Sequence, residues 1–373
     1  MSEEIRPFRI DIPQADLDDL QDRLAGTRWP DELPGAGWDY GIPLDHVKEL
    51  AEYWRTGYDW RKHETRMNAY PQFSTEIDGQ NVHFFQVRSP EPDALPLLLT
   101  HGWPGSVAEY LDVFDALSDP RSQGADPADA FHLVVPSIPG YGFSGPTQDR
   151  GWSRYRIAEA WAELMSRVGY ERFGTVGNDG GSLINPEIGR RHPDRVIGVH
   201  VTQLFSFPTG DPADFEGLSE ADLAKLGVLQ NFWENMGAFN TLHSQQPQTL
   251  AYAISDSPAG LLGWNVQLFP REQVDRDFVL TNVAIYWFTG TAGSSTRLYY
   301  EDAHAGAQPS GPTTVPTALA NFKDDFQSIR RFAERDHSNI VSWNEYDTGS
   351  HYAANDATDL LVNDIRAFYR TLR

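Results

Sequence analysis

Short apolar runs alternate with helix-like segments through residues 73–204 and again from residue 313, and this rhythm narrows the choice of fold more than any other feature. The runs ALPLLLTHG (94–102) and FHLVVPSIPG (131–140) are mostly apolar and end in glycine turns, as buried parallel strands do. The segment WSRYRIAEAWAELMSRVG (152–169) instead has apolar side chains at helical spacing and ends at a glycine. This alternation predicts an α/β fold, in which a mostly parallel sheet carries helices on both faces.

Two parts of the chain break the rhythm. The N-terminal part is rich in tryptophan and has two helical patterns, separated by the loop DELPGAGWDYGIP (31–43). The other interruption, late in the chain, is long, helical and aromatic-rich. The sequence therefore predicts four units: an N-terminal meander (1–72), the first part of the sheet domain (73–204), an inserted helical cap (205–311) and the second part of the sheet domain (312–373).

Composition excludes several classes of protein. The chain has 373 residues, of which 40% are hydrophobic, enough to bury a large core. Its 30 basic and 53 acidic residues give a net charge of −23, which disfavours nucleic acid and anionic membranes as partners. There is no cysteine, so a reducing compartment suits the chain. With no signal peptide at the start and no apolar run near the roughly 20 residues of a membrane helix, we expect a cytoplasmic protein. A homo-oligomer stays open.

The segment VGNDGGSL (176–183) places Asp179 among three glycines. A surface loop would explain such a composition, because Gly, Asn and Asp gather in turns. The segment, however, follows a predicted strand and precedes a predicted helix, the setting of a tight turn that exposes a nucleophile. A carboxylate is ionised at neutral pH and can attack an sp³ carbon without help from a base. The product would be an ester of the enzyme, and its release would need an activated water.

The chain also supplies a histidine and an acid in suitable places. His351, in DTGSHYA (347–353), follows a predicted strand and precedes the last helix, and Asp324 and Asp325 follow another strand. Nucleophile, acid and histidine in this chain order are typical of the α/β-hydrolase fold. The residues leave open which of the two adjacent acids orients the histidine.

A further turn can face the carboxylate. HGWPGS (101–106) follows the predicted strand PLLLT, so the backbone N–H groups of Trp103 and Gly180 are candidates for an oxyanion hole. Such a hole would stabilise the charge that develops when water attacks the ester of Asp179. The alternative is a plain turn without a catalytic role.

These motifs resemble those of the microsomal-type epoxide hydrolases, and the resemblance runs almost end to end. It includes the N-terminal segments PFRIDIP, TRWPDE, YDWR and PQFSTEIDG, and HGWPGS, PGYGFS, PQTLAYAISDSPAGLLGW, LTNVAIYWFTGT and GSHYA further on. The resemblance implies that Asp179 is the nucleophile, His351 the base and Asp325 the orienting acid. It also implies that Tyr299 of the cap donates a proton to the epoxide oxygen, a role that suits a phenol.

Three positions depart from the family pattern. Gly180 occupies a position where the family more often has tryptophan, and Phe239 stands where a second cap tyrosine is expected. Either one tyrosine suffices in this chain, or Tyr300 or another group assists. The neighbouring Asp324 and Asp325 make the orienting acid ambiguous by one residue, and we prefer Asp325.

Cofactor motifs are incomplete. GYGFSG (140–145) has the spacing of a dinucleotide-binding turn, but Pro146 follows it where a helix should begin. His63 and Glu64 begin a zinc-protease pattern, but Met67 stands where the second histidine should be. There is no G-x-S-x-G segment, which argues against a serine esterase. We therefore expect no cofactor and no metal.

The sequence predicts an epoxide hydrolase that converts an epoxide and water to a vicinal diol. A haloalkane dehalogenase and a non-catalytic binding protein of the same fold are the alternatives. The aromatic residues of the predicted cap favour a bulky or aromatic epoxide; they are Trp233, Phe239, Trp264, Tyr286 and Trp287.

Overall fold

The computed structural model describes residues 4–270, 273–308 and 311–373, which are organised around one mixed sheet. The strands are β1 Arg6–Phe8, β2 Gln72–Ile77, β3 Gln80–Val87, β4 Leu95–Thr100, β5 Phe131–Pro136, β6 Phe173–Gly177, β7 Val196–Val201, β8 Thr317–Asn321 and β9 Ile340–Glu345. Their order in the sheet is β1-β2-β3-β5-β4-β6-β7-β8-β9. The pairs from β1 to β5 are antiparallel and all the others are parallel. The predicted α/β fold with a mostly parallel sheet is confirmed.

The α-helices of the described residues surround this sheet. They are α1 Gln14–Ala25, α2 Leu44–Thr56, α3 Trp60–Asn68, α4 Phe114–Ser118, α5 Arg154–Arg167, α6 Gly180–Arg191, α7 Glu220–Asn235, α8 Ala238–Gln245, α9 Pro247–Asp256, α10 Pro258–Val266, α11 Arg276–Phe288, α12 Ala292–Ser295, α13 Arg297–Ala303, α14 Arg330–Asp336, α15 Ala353–Asp356 and α16 Thr358–Arg370. No helix among them is long and apolar enough to cross a membrane.

Helices cover both faces of the sheet. Successive side chains of a strand point to opposite faces. On β7, a Cβ at Gly198 would meet Phe368 of α16, whereas the side chain of the next residue, Val199, lies against Gly189 of α6. The absence of a side chain at Gly198 is what lets α16 pack close to the strand, since an added Cβ would lie 2.8 Å from the Phe368 ring.

The helices α7 to α13 all lie between β7 and β8 in the chain, in the segment predicted to be the inserted cap. The N-terminal helices pack against this cap. The Tyr53 hydroxyl of α2 donates to Asp277 of α11 (2.7 Å), and the Trp60 ring of α3 lies 5.0 Å from that of Phe288. The division of the chain into four separate units stays a prediction.

Candidate active site

Asp179 lies at the sharp turn between β6 and α6. Its φ and ψ are 49° and −113°, a conformation that non-glycine residues rarely adopt and that costs about 1–3 kcal/mol. The flanking glycines are required by close packing: a Cβ at Gly181 would lie 1.9 Å from the carbonyl oxygen of Thr100, and one at Gly177 would lie 2.4 Å from that of Gly181. The turn therefore holds the carboxylate at the carboxyl end of the sheet and leaves no room for a side chain at Gly177 or Gly181.

His351 lies between two carboxylates. Its Nδ1 is 2.8 Å from Oδ1 of Asp325, and its Nε2 is 3.8 Å from Oδ2 of Asp179, which is longer than a hydrogen bond. Asp324 is not part of this arrangement. Its backbone N–H donates to the carbonyl of Gly349 (3.0 Å), and its side chain accepts from Gln273 (3.4 Å). Of the two adjacent acids, the structure therefore brings Asp325 to the histidine.

Backbone donors hold the other oxygen of Asp179. The N–H of Trp103 donates to Oδ1 at 2.9 Å, and the N–H of Gly180 also donates to this carboxylate. Gly102 makes the approach of the two segments possible, since a Cβ there would lie 2.0 Å from Oδ1. Two backbone N–H groups from separate segments that donate to one carboxylate can stabilise a tetrahedral oxyanion formed from it.

Burial and neighbouring charge shift the ionisation of these groups in opposite directions. Burial raises the pKa of Asp179, while the charge of His351 and the N–H donors lower it in part. Burial alone would lower the pKa of His351, but the carboxyls of Asp325, Asp179 and Glu109 raise it, to about 9. Burial raises the pKa of Glu109, which is 1% exposed, to about 8. The free site thus combines a buried nucleophile with a histidine of unusually high proton affinity.

Tyr299, on α13, belongs to an aromatic wall above this turn. Its ring lies edge-on to three rings, with centroids 6.3 Å from Trp103, 6.0 Å from Phe239 and 5.0 Å from His243. Burial, and then the charge of Asp179, raise the pKa of Tyr299 well above its usual value. The hydroxyl is therefore a neutral donor at neutral pH. Tyr300 does not share this position, since it is 38% exposed and stacks on a histidine.

The other cap aromatics divide into two groups. Phe239 stacks on Trp103 with a centroid distance of 5.6 Å, and Trp264 donates its indole N–H to His243 at 3.0 Å. The Tyr286 hydroxyl donates to the carbonyl of Gly105 (2.6 Å). Two of the residues predicted from the sequence lie elsewhere: Trp233 is 45% exposed, and the Trp287 ring packs 5.7 Å below the guanidinium of Arg23.

Gln203, just after β7, was missed by the sequence analysis. Its Oε1 accepts from the backbone N–H of Asp179 and from the Ser182 hydroxyl, both at 2.8 Å. Its Nε2 donates to Asn178 (2.7 Å) and to Oδ2 of Asp325. A single buried amide thus joins the turn that carries Asp179 to the acid that contacts His351.

Glu109 was missed as well, although it follows HGWPGS by only three residues. Its Oε1 accepts from the Asn178 amide at 2.7 Å, and the same amide donates to the carbonyl of His351 at 2.9 Å. Its Oε2 is buried without a hydrogen-bond partner among the described residues. No signal in the sequence separates such an acid from the many others on the surface.

The sheet order, the turn at Asp179 and the histidine after the last strand define an α/β hydrolase. Two family models match: the alpha/beta hydrolase fold over residues 96–248, and the epoxide hydrolase N terminus over residues 5–110. A relative from Stigmatella aurantiaca is 38% identical over 99% of this chain and 86% of its own length. Epoxide hydrolase 1 of Sus scrofa is 31% identical over 98% of this chain and 88% of its own. The chain belongs to the epoxide hydrolase family.

Solved structures agree with this assignment. The epoxide hydrolase of Aspergillus niger superposes with a TM-score of 0.87 at 28% identity and covers 99% of this chain and 97% of its own. The juvenile hormone epoxide hydrolase of Bombyx mori superposes with a TM-score of 0.89 at 25% identity and covers 99% and 95%. The predicted family and enzyme class are confirmed, and they favour an epoxide hydrolase over the dehalogenase and binding-protein hypotheses.

Proposed function

We propose that this chain converts an epoxide to a vicinal diol through a covalent ester on Asp179. The observation that carries the proposal is the position of the two carboxylate oxygens. Oδ1 accepts from the N–H of Trp103, and Oδ2 faces Nε2 of His351 at 3.8 Å without a hydrogen bond to it. One oxygen is held in place while the other is left to react with carbon.

In the first step Oδ2 of Asp179 attacks an epoxide carbon and the opposite C–O bond breaks. The electron pair passes to the epoxide oxygen, which takes the proton of the Tyr299 hydroxyl. The carboxylate needs no base for this step, because it is already ionised. The product is a hydroxyalkyl ester of Asp179.

In the second step a water molecule attacks the ester carbonyl carbon. His351 takes a proton from the water through Nε2, and Asp325 keeps the imidazole oriented through its bond to Nδ1. The oxyanion that forms on Oδ1 is stabilised by the N–H groups of Trp103 and Gly180. Its collapse releases the diol and restores the carboxylate.

The surroundings of the site support an apolar and bulky epoxide as substrate. The walls around Tyr299 include the rings of Trp103, Phe239 and His243. These rings offer dispersion contacts and few polar partners, which suits an aryl or polycyclic group. Among the relatives, those of Ctenocephalides felis are named juvenile hormone epoxide hydrolases, so juvenile hormone is a further candidate substrate to test.

The acidic composition, with no cysteine among the 373 residues, supports a cytoplasmic location. It also supports small molecules, rather than nucleic acid, as the partners of this chain. Fractionation of cells that express a tagged full-length chain would test the location, since recovery with the membranes would contradict it.

A single turnover in water labelled with heavy oxygen tests the covalent step. The new oxygen of the diol should come unlabelled from Asp179, and the label should enter the protein instead. Asp179→Asn should form no ester, whereas His351→Gln should accumulate it as a mass increase equal to that of the substrate. Styrene oxide is a suitable first substrate, and a chloroalkane without an epoxide is the matched negative control. Label in the diol after the first turnover would contradict the proposal.

A further inference from the structure

The charges around His351 are unbalanced unless the imidazole is protonated. Three carboxyl groups surround His351: Asp325 lies at Nδ1, Asp179 lies at Nε2, and Glu109 lies close enough for its charge to raise the pKa of the imidazole. Within residues 4–270, 273–308 and 311–373, no lysine or arginine forms an ion pair with any of the three. The ring of Tyr352, 5.0 Å away, is a neutral neighbour. His351 is therefore the cation available to this acidic cluster.

We propose that His351 is an imidazolium in the free enzyme, that its proton restores the Tyr299 hydroxyl after ring opening, and that it becomes a base only when Asp179 is esterified. This inference rests on the proposed function and identifies the source of the proton that is consumed when the epoxide ring opens. The nucleophile itself thereby controls the protonation state of the base.

The physical reason is the change in charge at residue 179. A buried carboxylate within about 4–6 Å of an imidazole favours the charged ring and raises its pKa by about 1 to 3. Asp179 in the free enzyme is such a carboxylate, at 3.8 Å. The ester that replaces it is neutral, so this contribution disappears while the contribution of Asp325 remains. The pKa of His351 then falls from about 9 toward neutrality.

The proton count closes at each step. On ring opening, the C–O electron pair goes to the epoxide oxygen and Tyr299 donates its proton there. The pKa of Tyr299 is too high for the tyrosinate to persist, so the hydroxyl is restored at the expense of the imidazolium proton, through water in the site. In the second step neutral His351 takes a proton from the attacking water, and the tetrahedral intermediate expels the diol as its alkoxide. This alkoxide takes the proton of the newly formed Asp179 carboxylic acid, so the carboxylate and the imidazolium again form the ion pair. The solvent supplies no net proton at either step.

Glu109 does not add a negative charge to this balance at neutral pH. It is buried beside an amide and carries no countercharge of its own, and burial raises its pKa to about 8. A buried acid without a cation favours its neutral form. The partners left to the imidazolium are then Asp325, 2.8 Å from Nδ1, and Asp179, 3.8 Å from Nε2.

The first test measures the pKa of His351 by NMR on histidine labelled with ¹⁵N. The His351→Gln variant identifies its signals among those of the 11 histidines. Asp179→Asn mimics the neutral ester. In the free enzyme both ring nitrogens of His351 should be protonated at pH 7, and the ring should titrate near pH 9. In Asp179→Asn the ring should bind its proton at least about tenfold more weakly. Asp302→Asn, a change at a buried acid outside the cluster, is the control. Ordinary titration of the free enzyme near pH 6.5, or no change in Asp179→Asn, would overturn the inference.

The second test measures ester formation as a function of pH in single turnovers quenched with acid. The rate in the unaltered enzyme should fall about tenfold per pH unit above about 9, because the imidazolium is lost. His351→Gln should form ester more slowly and lack this descending limb. A rate in the unaltered enzyme that is constant or rises between pH 7 and 10 would refute the inference while leaving the covalent scheme intact. Failure of the proposed function would look different, since no ester would form at any pH.

Discussion

Replacing Gly102 by alanine should disable the site while leaving the fold in place. The added Cβ would lie 2.0 Å from Oδ1 of Asp179 and 2.4 Å from the N–H nitrogen of Gly180. Real Cβ atoms essentially never approach closer than 3.0 Å, so one of the two segments must move by about 1 Å. The atoms in the way are a backbone nitrogen and a carboxylate oxygen that accepts from the Trp103 N–H, so moving either one disturbs the site.

The size of the effect follows from this displacement. A shift of about 1 Å in a reacting group costs about 10²-fold in rate, and loss of one oxyanion donor costs about 10²–10³-fold. The bond from the Trp103 N–H to Oδ1 is the donor at risk. We therefore expect both steps to slow in Gly102→Ala, and ester hydrolysis to slow more than ester formation, since the oxyanion develops only in hydrolysis.

Rapid mixing with styrene oxide, followed by mass spectrometry of the quenched protein, separates the two rates. Gly227→Ala is the matched control, because nothing lies within 4 Å of a Cβ at this helical glycine. It should keep full activity and gain up to about 1 kcal/mol in unfolding free energy. If Gly102→Ala keeps both rates, the close approach of these segments is not what positions the nucleophile.

Three further predictions concern single groups of the site. Tyr299→Phe should slow ester formation by about 10²–10⁴-fold and leave ester hydrolysis unchanged in the same assay, with the exposed Tyr300→Phe as a control of normal activity. Gln203→Leu leaves the Asp179 N–H unpaired, so urea unfolding should show a loss of about 1–3 kcal/mol; unchanged stability would contradict these hydrogen bonds. The raised pKa of His351 stabilises the fold fully below its ordinary value of 6.5, and the contribution is lost as pH rises through about 9. The difference in urea unfolding free energy between the unaltered enzyme and His351→Gln should therefore shrink from pH 6 to 10, and a constant difference would contradict it.

The sequence predicts those parts of the fold and site that have a local signal. The strands β4 to β7 are short apolar runs, and each can be recognised in the sequence separately. The turn at Asp179 can be recognised in the sequence by its glycines, because close packing against Thr100 leaves room for no other residue at Gly181. The bulged registers in the sheet and its strand order depend on contacts between distant segments, and no local pattern carries them.

The local sequence pattern does not determine which acid orients the histidine. Asp324 and Asp325 are adjacent in sequence, and each follows β8 closely enough to reach a histidine. Only the backbone after the strand decides between them: the N–H of Asp324 is bonded to Gly349, which leaves the side chain of Asp325 toward His351. Gln203 has no local signal, since its partners lie in two distant parts of the chain, residues 178–182 and Asp325.

The strain at Asp179 explains why such distant partners matter. A residue held at φ 49° relaxes unless its surroundings determine it from several sides. Here the backbone N–H is fixed by Gln203, the carboxylate by Trp103 and the following turn by a hydroxyl bond from Ser182 to the carbonyl of Gly177 (3.0 Å). Because Gln203 also holds Asp325, any motion that relaxes the nucleophile also displaces the partner of the base. The strained turn and the acid that orients the histidine are therefore one mechanical unit, and a substitution at Gln203 should disturb both steps of the reaction together.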